Sequence, residues 1–403
     1  MASASIPEMR FITRCLFPET LKPEGATENL ALLDWPRLFW LASFHGMLPL
    51  VSTWLMQFPE RSSLNIPKHT IADLEMWRTR HISRTLTLSA ALIELQQEFD
   101  RRSLSIVSWK GPSVALLLYG SSILRESSDL DFLLREEDLA QVLEITGHLG
   151  YTLLGQNASE EKNRYTFAHQ HEFCFSRSRD QVVLEFHVQI MIAHYSSWQD
   201  SQTYIPRATT RYPLANTQLL LQCPEDLLVS LCVHAIKHNW DRIKWSCDIA
   251  QFLRVYGAHL DWTKFLANLT RAGKHTIVLL GLSLASILFD LQLPPAVEKA
   301  LQRTPKIIPM ATGLADHIMS GSKNPLPSVQ AAELIALLCP RLRDRIVFLF
   351  HPIVHLEYED LYFPENNRLF FFLNYPYRAL RLLRQYGLQR LVAMTATYIR
   401  SGQ

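Results

Sequence analysis

An excess of charge of either sign is missing from this sequence: 40 Lys and Arg against 38 Asp and Glu leave a formal net charge of +2 over 403 residues. No global field therefore argues for nucleic acid as the main partner. Glycine is sparse, at 14 residues, and the 21 prolines form no biased tract, which excludes long disordered segments. The six cysteines (Cys15, Cys174, Cys223, Cys232, Cys247, Cys339) are scattered with no C-x-x-C pair. That spacing supports neither a zinc site nor a disulfide framework and predicts reduced thiols in a cytoplasmic protein. Met1 to Phe17 carries Glu8, Arg10 and Arg14 and no unbroken apolar core, so it does not read as a secretory signal. The longest apolar run, from Ile277 to Phe289, falls short of the roughly 20 residues that cross a bilayer and reads as a buried helix.

What remains is the composition of a globular protein, 48% hydrophobic and 19% charged, long enough for two or three domains. Residues 1–95 alternate helical patterns with Pro and polar breaks. In one of them Asp34 suits an N-cap and Pro36 the first turn, and a near echo begins at Asp261. From about Leu104 the periodicity changes. Ser105 to Trp109 reads as a short strand, Pro112 to Tyr119 as a helix, Leu130 to Leu134 as a strand and Glu136 to Leu149 as an amphipathic helix. Phe173 to Phe175 and Val182 to Ile190 read as two further strands, and the chain beyond Pro224 as mostly helical. The expected layout is a helical N-terminal region (1–95), a central core with a sheet (96–215) and a helical C-terminal domain (216–403).

The residues that carry chemistry lie in that core. On a strand, Asp129 and Asp131 point the same way while Leu130 and Phe132 face the interior. Two carboxylates so close repel each other unless cations lie between them, and hard oxygen ligands suit Mg²⁺ or Mn²⁺. Val182 to Gln189 alternates as well, placing Glu185, His187 and Gln189 on one face. A strand that spends one face on Glu and His is locally inconsistent unless a site sits there. Three carboxylates from neighbouring strands can hold two metals that polarise a triphosphate and activate an attacking hydroxyl. Gly111 lets backbone approach a phosphate, amides near Ser113 can donate to it, and Lys110 and Arg125 can neutralise its charge. For His187 the roles of ligand, base and structural hydrogen-bonder all stay open.

The pattern Lys110-Gly111-x-Ser113, then Arg125-x-Ser127-Ser128-Asp129-x-Asp131, then Glu185-x-His187 resembles a bacterial family of uncharacterised nucleotidyltransferases. It is also similar to the nucleotidyltransferase toxins of type IV toxin–antitoxin systems; both belong to the DNA polymerase β-like superfamily. The resemblance implies an α+β fold: a polymerase β-like core, a small mixed sheet with helices, flanked by N- and C-terminal helical parts. It implies that Asp129, Asp131 and Glu185 ligate metal and carry catalysis, with Glu185 as third ligand or acceptor base. Lys110, Gly111, Ser113, Arg125 and Ser128 then serve an NTP. Pro112 departs from the family's turn, which has a second Gly or a Ser there; Pro lacks an N–H, so one phosphate-binding amide is missing.

Beyond Pro224, His234, Lys237, His238, Asp241 and Asp248 recur at helical spacing and are expected to share one face. That face is either a nucleotide contact, with Asp248 ordering a cation, or a solvated or interface surface. From Asn366 onward the tail carries arginines and no Asp or Glu, a pattern that docks on its own domain or lies peripherally on an anionic membrane. The expected activity is transfer of NMP from an NTP to an acceptor, with release of pyrophosphate. Near-neutral charge and the lack of a long basic stripe favour a small-molecule or peptide acceptor over RNA. The rivals are a toxin-like enzyme acting on tRNA or protein, and a module that binds nucleotide without turnover.

Overall fold

The computed structural model describes residues 5–17, 30, 33–58, 64, 66–154, 172–188, 209–238, 240–322 and 373–386. Among these, four helices precede the first strand: α1 (Pro7–Arg14), α2 (Trp35–Phe44), α3 (Leu48–Gln57) and α4 (Lys68–Arg101). Asp34 caps α2, its carboxylate accepting from the Arg37 amide at 3.0 Å, with Pro36 in the first turn as the sequence predicts. Helix α4 continues past position 95, where the sequence reading placed the end of the N-terminal region, and its buried Phe99 reaches the sheet.

That sheet is built from β1 (Val107–Ser108), β2 (Leu130–Leu133), β3 (Thr152–Leu153), β4 (Glu172–Arg177) and β5 (Val182–His187), with α5 (Pro112–Tyr119) and α6 (Leu139–His148) in the connections. Its order is β1-β2-β5-β4-β3. The central pair β2 and β5 is parallel, while β1 on β2 and β4 on β5 are antiparallel. Alternation sends Leu130, Phe132, Leu184 and Phe186 inward, each at most 1% exposed. Phe132 stacks on Phe186, and Phe99 meets both edge-on. The opposite face of β2 and β5 is thereby left for other residues.

A hairpin of β6 (Thr209–Leu214) and β7 (Thr217–Gln222) forms a second small sheet. The sequence reading passed it over, and Pro213 is the reason. Proline removes a ladder donor and argues against a central strand, yet a two-stranded ribbon tolerates it.

The rest of the described chain is helical: α7 (Pro224–Lys237), α8 (Ile243–Tyr256), α9 (Trp262–Arg271), α10 (His275–Phe289), α11 (Pro295–Gln302) and α12 (Ile307–Met319). Asp261 caps α9 through the Lys264 amide at 3.0 Å. The apolar run becomes α10, buried along nearly its whole length. No described helix is long and apolar enough to cross a membrane.

The residues from His234 to Asp248 do not share one helix, because α7 ends at Lys237 and α8 starts at Ile243. Trp240 between them takes a left-handed backbone, φ 48°, and is 1% exposed near Gly281 of α10. Burial of that indole outweighs helical continuity.

By packing, the chain divides into two units. One comprises Met1–Thr152, Glu172–Ile190 and Asp200–Pro325; the other comprises Leu153–His171, Met191–Gln199 and Leu326–Gln403. Of the second, α13 (Asn374–Tyr386) is described; it carries Arg378, Arg381 and Arg384 and no acidic residue, with Leu380 exposed. The remainder of the basic tail, and Gln189, lie outside the described residues. The helices, with these two small sheets, make an α+β fold.

Candidate active site

The parallel register sets Asp131 opposite Glu185 and Leu133 opposite His187. Alternation then places Asp131, Glu185 and His187 on the face turned away from the Phe132–Phe186 core. Their donor atoms lie within 4.8 Å of one another. His187 Nε2 is 3.1 Å from Asp131 Oδ1 and 3.6 Å from Glu185 Oε2. Lys110, just after β1, donates from Nζ to the same Asp131 oxygen at 2.7 Å. Asp129 is not on the strand as expected: β2 begins at Leu130, and Asp129 occupies the bend before it. It lines the same cavity as Asp131 and Glu185, a space of about 460 Å³.

The carboxylates differ in electrostatics. Burial, and then the charges of Asp131 and Glu185, push Asp129 up to about 6. Burial also disfavours charge on Asp131, but Lys110 and His187 outweigh it and hold that carboxyl well below the usual range. Burial works against protonated His187, and its hydrogen bonds to Asp131 and Glu185 prevail, raising its pKa. Of the two aspartates, Asp131 is therefore the relaxed one and Asp129 the crowded one.

Gly111 has φ 64° and ψ −142°, and a Cβ there would lie 2.9 Å from the Asp129 carbonyl oxygen. The close approach this glycine permits is to the loop that presents Asp129. Gly111→Ala is expected to lower stability by about 2 kcal/mol and to weaken any ligand bound through Asp129, checked by thermal denaturation and calorimetric titration. Pro112 sits in the first turn of α5, where its missing N–H is an orphan in any case. Ser113 is 1% exposed, its hydroxyl is paired with Ser108, and it does not line the cavity. Its hydroxyl is thus committed to an internal hydrogen bond.

Arg125 lines the cavity but is committed elsewhere. Its Nε lies 2.8 Å from Asp248 Oδ1, and its Nη2 lies 2.9 Å from Oδ2. Tyr119 donates to Asp248 Oδ1 at 2.9 Å. The cation that Asp248 orders is thus the Arg125 guanidinium. Arg84 of α4 ties this loop to the β4–β5 turn, donating to the carbonyls of Ser128 and Gln181 at 2.9 Å and of Asp180 at 3.1 Å. Ser128 itself is exposed at the cavity rim.

The helical part contributes His234 and His238 of the α7 end and Arg242, Lys244 and Trp245 of the α8 start. Trp245 stacks on His238 with centroids 5.1 Å apart, and His234 meets it edge-on at 4.5 Å. Burial, then Lys110 and His238, hold His234 well below its ordinary pKa, so its imidazole is neutral. Lys237 ends α7, and its side chain lies outside the described ones.

The α2–α3 turn fixes the start of α8. His45 accepts the Ile243 N–H on Nδ1 at 3.4 Å, and its carbonyl accepts the Lys244 N–H at 3.2 Å. Burial and then Arg242 lower His45 from 6.5 to about 4. The unfolded chain then binds this proton more readily than the folded one. The contribution of His45 is full above pH 6.5 and is lost as the pH falls toward 4. Denaturant titrations are expected to lose up to about 3 kcal/mol across that window. His45→Asn, whose Oδ1 can accept the same amide, flattens this dependence.

The sequence reading missed Arg242, Lys244 and Trp245. The signal was weak, two cations two residues apart after a presumed helix face, and only the turn at Trp240 brings them to the cavity. A family model described as uncharacterised nucleotidyltransferase matches residues 32–290, a span that contains every residue of the cavity. No curated protein matches the chain.

Proposed function

The chain belongs to the uncharacterised nucleotidyltransferase family, and from that premise we propose that it transfers a nucleoside monophosphate from an NTP to a small-molecule or peptide acceptor, releasing pyrophosphate. One observation carries this reading: Asp131, Glu185 and His187 converge within 4.8 Å on one face of a parallel strand pair, with Asp129 on the same cavity. The parallel β2–β5 pair with its acidic face supports a polymerase β-like core.

The donor set fits a divalent cation. Carboxylate oxygens suit Mg²⁺ or Mn²⁺. Asp129, Asp131 and Glu185 would hold such ions, which supply neutralisation of phosphoryl charge when bound. The chain's own residues do the rest. Lys110 and His187 keep Asp131 ionised, and Gly111 sets the Asp129 loop. Glu185, more open than Asp131 with 25% of its side chain exposed, is placed to accept the proton of an attacking hydroxyl. The transfer forms an acceptor O–Pα bond and breaks the Pα–O bond to pyrophosphate. An enzyme of this kind draws on the NTP pool, which agrees with a cytoplasmic location.

The test is calorimetric titration of the four NTPs with and without Mg²⁺ into wild type and Asp129→Ala/Asp131→Ala, followed by pyrophosphate release with candidate acceptors. Mg²⁺-dependent binding of an NTP that the double variant loses is expected. A folded wild type that binds no NTP under any of these conditions overturns the reading.

A further inference from the structure

Of the four cations that line the cavity, two are already neutralised. Lys110 is paired with Asp131 at 2.7 Å, and Arg125 is bound through two nitrogens to Asp248. Arg242 and Lys244 line the same space, and among the described residues neither has a carboxylate at ion-pair distance. They lie at the start of α8, away in sequence from the strands that bear Asp129, Asp131 and Glu185. We propose that Lys244 and Arg242 form a subsite for the triphosphate tail of the donor, the β- and γ-phosphates that depart as pyrophosphate. This rests on the nucleotidyltransferase reading and adds to it the part of the substrate that each group of residues receives.

Both cations are held in place before any ligand arrives. The Lys244 Nζ lies 4.3 Å from the Trp245 ring centroid, and the Arg242 guanidinium lies 5.6 Å from that of Phe44. The Lys244 stem passes over Gly46, where a Cβ would come within 2.5 Å of Lys244 Cδ. Gly46 has φ 68°, so both its backbone and its open face are needed for this lysine to lie where it does. The Ile243 and Lys244 amides are occupied by His45, so what the α8 start offers a ligand is side-chain charge rather than free N–H groups.

The electrostatics agree with that geometry. Burial and then the positive charge of Arg125 bring Lys244 down to about 8; Glu126 and Asp248 oppose this and are outweighed. A polyanion beside Lys244 relieves the crowding of positive charge. When the Pα–O bond breaks, its electron pair goes to the pyrophosphate oxygen, and fixed cations at that end stabilise the charge as it develops.

The probe that isolates this subsite is inorganic tripolyphosphate, which has no nucleoside and no reacting α-phosphate. Calorimetric titration into the full chain would compare tripolyphosphate, NTP and NMP against wild type, Lys244→Met, Lys244→Arg and Arg242→Gln. Met keeps the stem that packs on Gly46 and Trp245, and Arg keeps the charge. Lys244→Met and Arg242→Gln are each expected to weaken tripolyphosphate and NTP by roughly 10- to 100-fold, with NMP unchanged. Lys244→Arg is expected to retain most of the affinity. Equal weakening of NMP and NTP overturns the proposal, as does unaltered tripolyphosphate binding in both neutral variants or no tripolyphosphate binding by folded wild type. If wild type binds tripolyphosphate through Lys244 but never turns over an NTP, the subsite stands and the transferase reading fails.

Discussion

Asp129→Asn is expected to make the metal-free protein more stable and Asp131→Asn to make it less stable, while each removes nucleotidyl transfer. The opposite signs follow from the neighbours of the two carboxylates. Asp129 is partly buried and feels the charges of Asp131 and Glu185, which push it up to about 6. At neutral pH its ionised form therefore opposes folding, and an amide relieves repulsion on the order of 1 kcal/mol once partial exposure is allowed for. Asp131 is 3% exposed and holds both Lys110 and His187. Its amide leaves a largely buried ammonium without a counter-charge and is expected to lower stability by about 2 kcal/mol. Transfer should fall about 10³-fold in each, roughly 4 kcal/mol of transition-state stabilisation. Melting curves in EDTA and pyrophosphate release in Mg²⁺ measure the two effects separately. Equal destabilisation by both variants would contradict the proposed division between a relaxed and a crowded carboxylate.

The second large effect concerns the pair that joins the loop before β2 to α8. Arg125 and Asp248 are 7% and 1% exposed, with three N–O contacts of 3.1 Å or less and Tyr119 added at 2.9 Å. Arg125→Met leaves a buried carboxylate with one neutral donor and is expected to lower stability by about 3–5 kcal/mol. Asp248→Leu alone strands the guanidinium and is expected to be of similar size. The double variant Arg125→Met/Asp248→Leu should recover much of the loss, because two apolar side chains replace a matched pair. Denaturant titration of the four proteins closes the cycle. Additive losses in the double variant would show that the two residues act independently, in keeping with Arg125 serving a ligand rather than the fold.

Much of this arrangement is legible in the sequence where the signal is local. The alternation around Asp131 and that from Val182 to His187 assigned the strands and the faces of Asp131, Glu185 and His187, and Asp34 and Asp261 announced the helices they cap. What was not legible depends on neighbours distant along the chain. No spacing rule says that Arg125 will meet a carboxylate 123 residues away, or that the Ser113 hydroxyl will turn to Ser108. Pro213 disguised a hairpin strand. Trp240 broke what looked like one helix, and with it the expected alignment of His234 and Asp248, because the depth of an indole's burial is decided by the helices around it. Arg242 and Lys244 were overlooked for the same reason.

The parallel pairing of β2 with β5 also bears on how the protein comes to be. Parallel neighbours need a long crossover, so Asp131 and His187, 56 residues apart, meet only after the intervening chain has closed a large loop. Such contacts are slow to form because loop closure is opposed by entropy before any pairing compensates it. During synthesis Asp129 and Asp131 emerge well before Glu185 and His187 of β5, and α8, which secures Arg125, emerges later still. A chain released short of Asp248 would carry every carboxylate of the centre without the helix that holds its loop in place. The loop of the reactive centre is therefore secured only once α8 has been made.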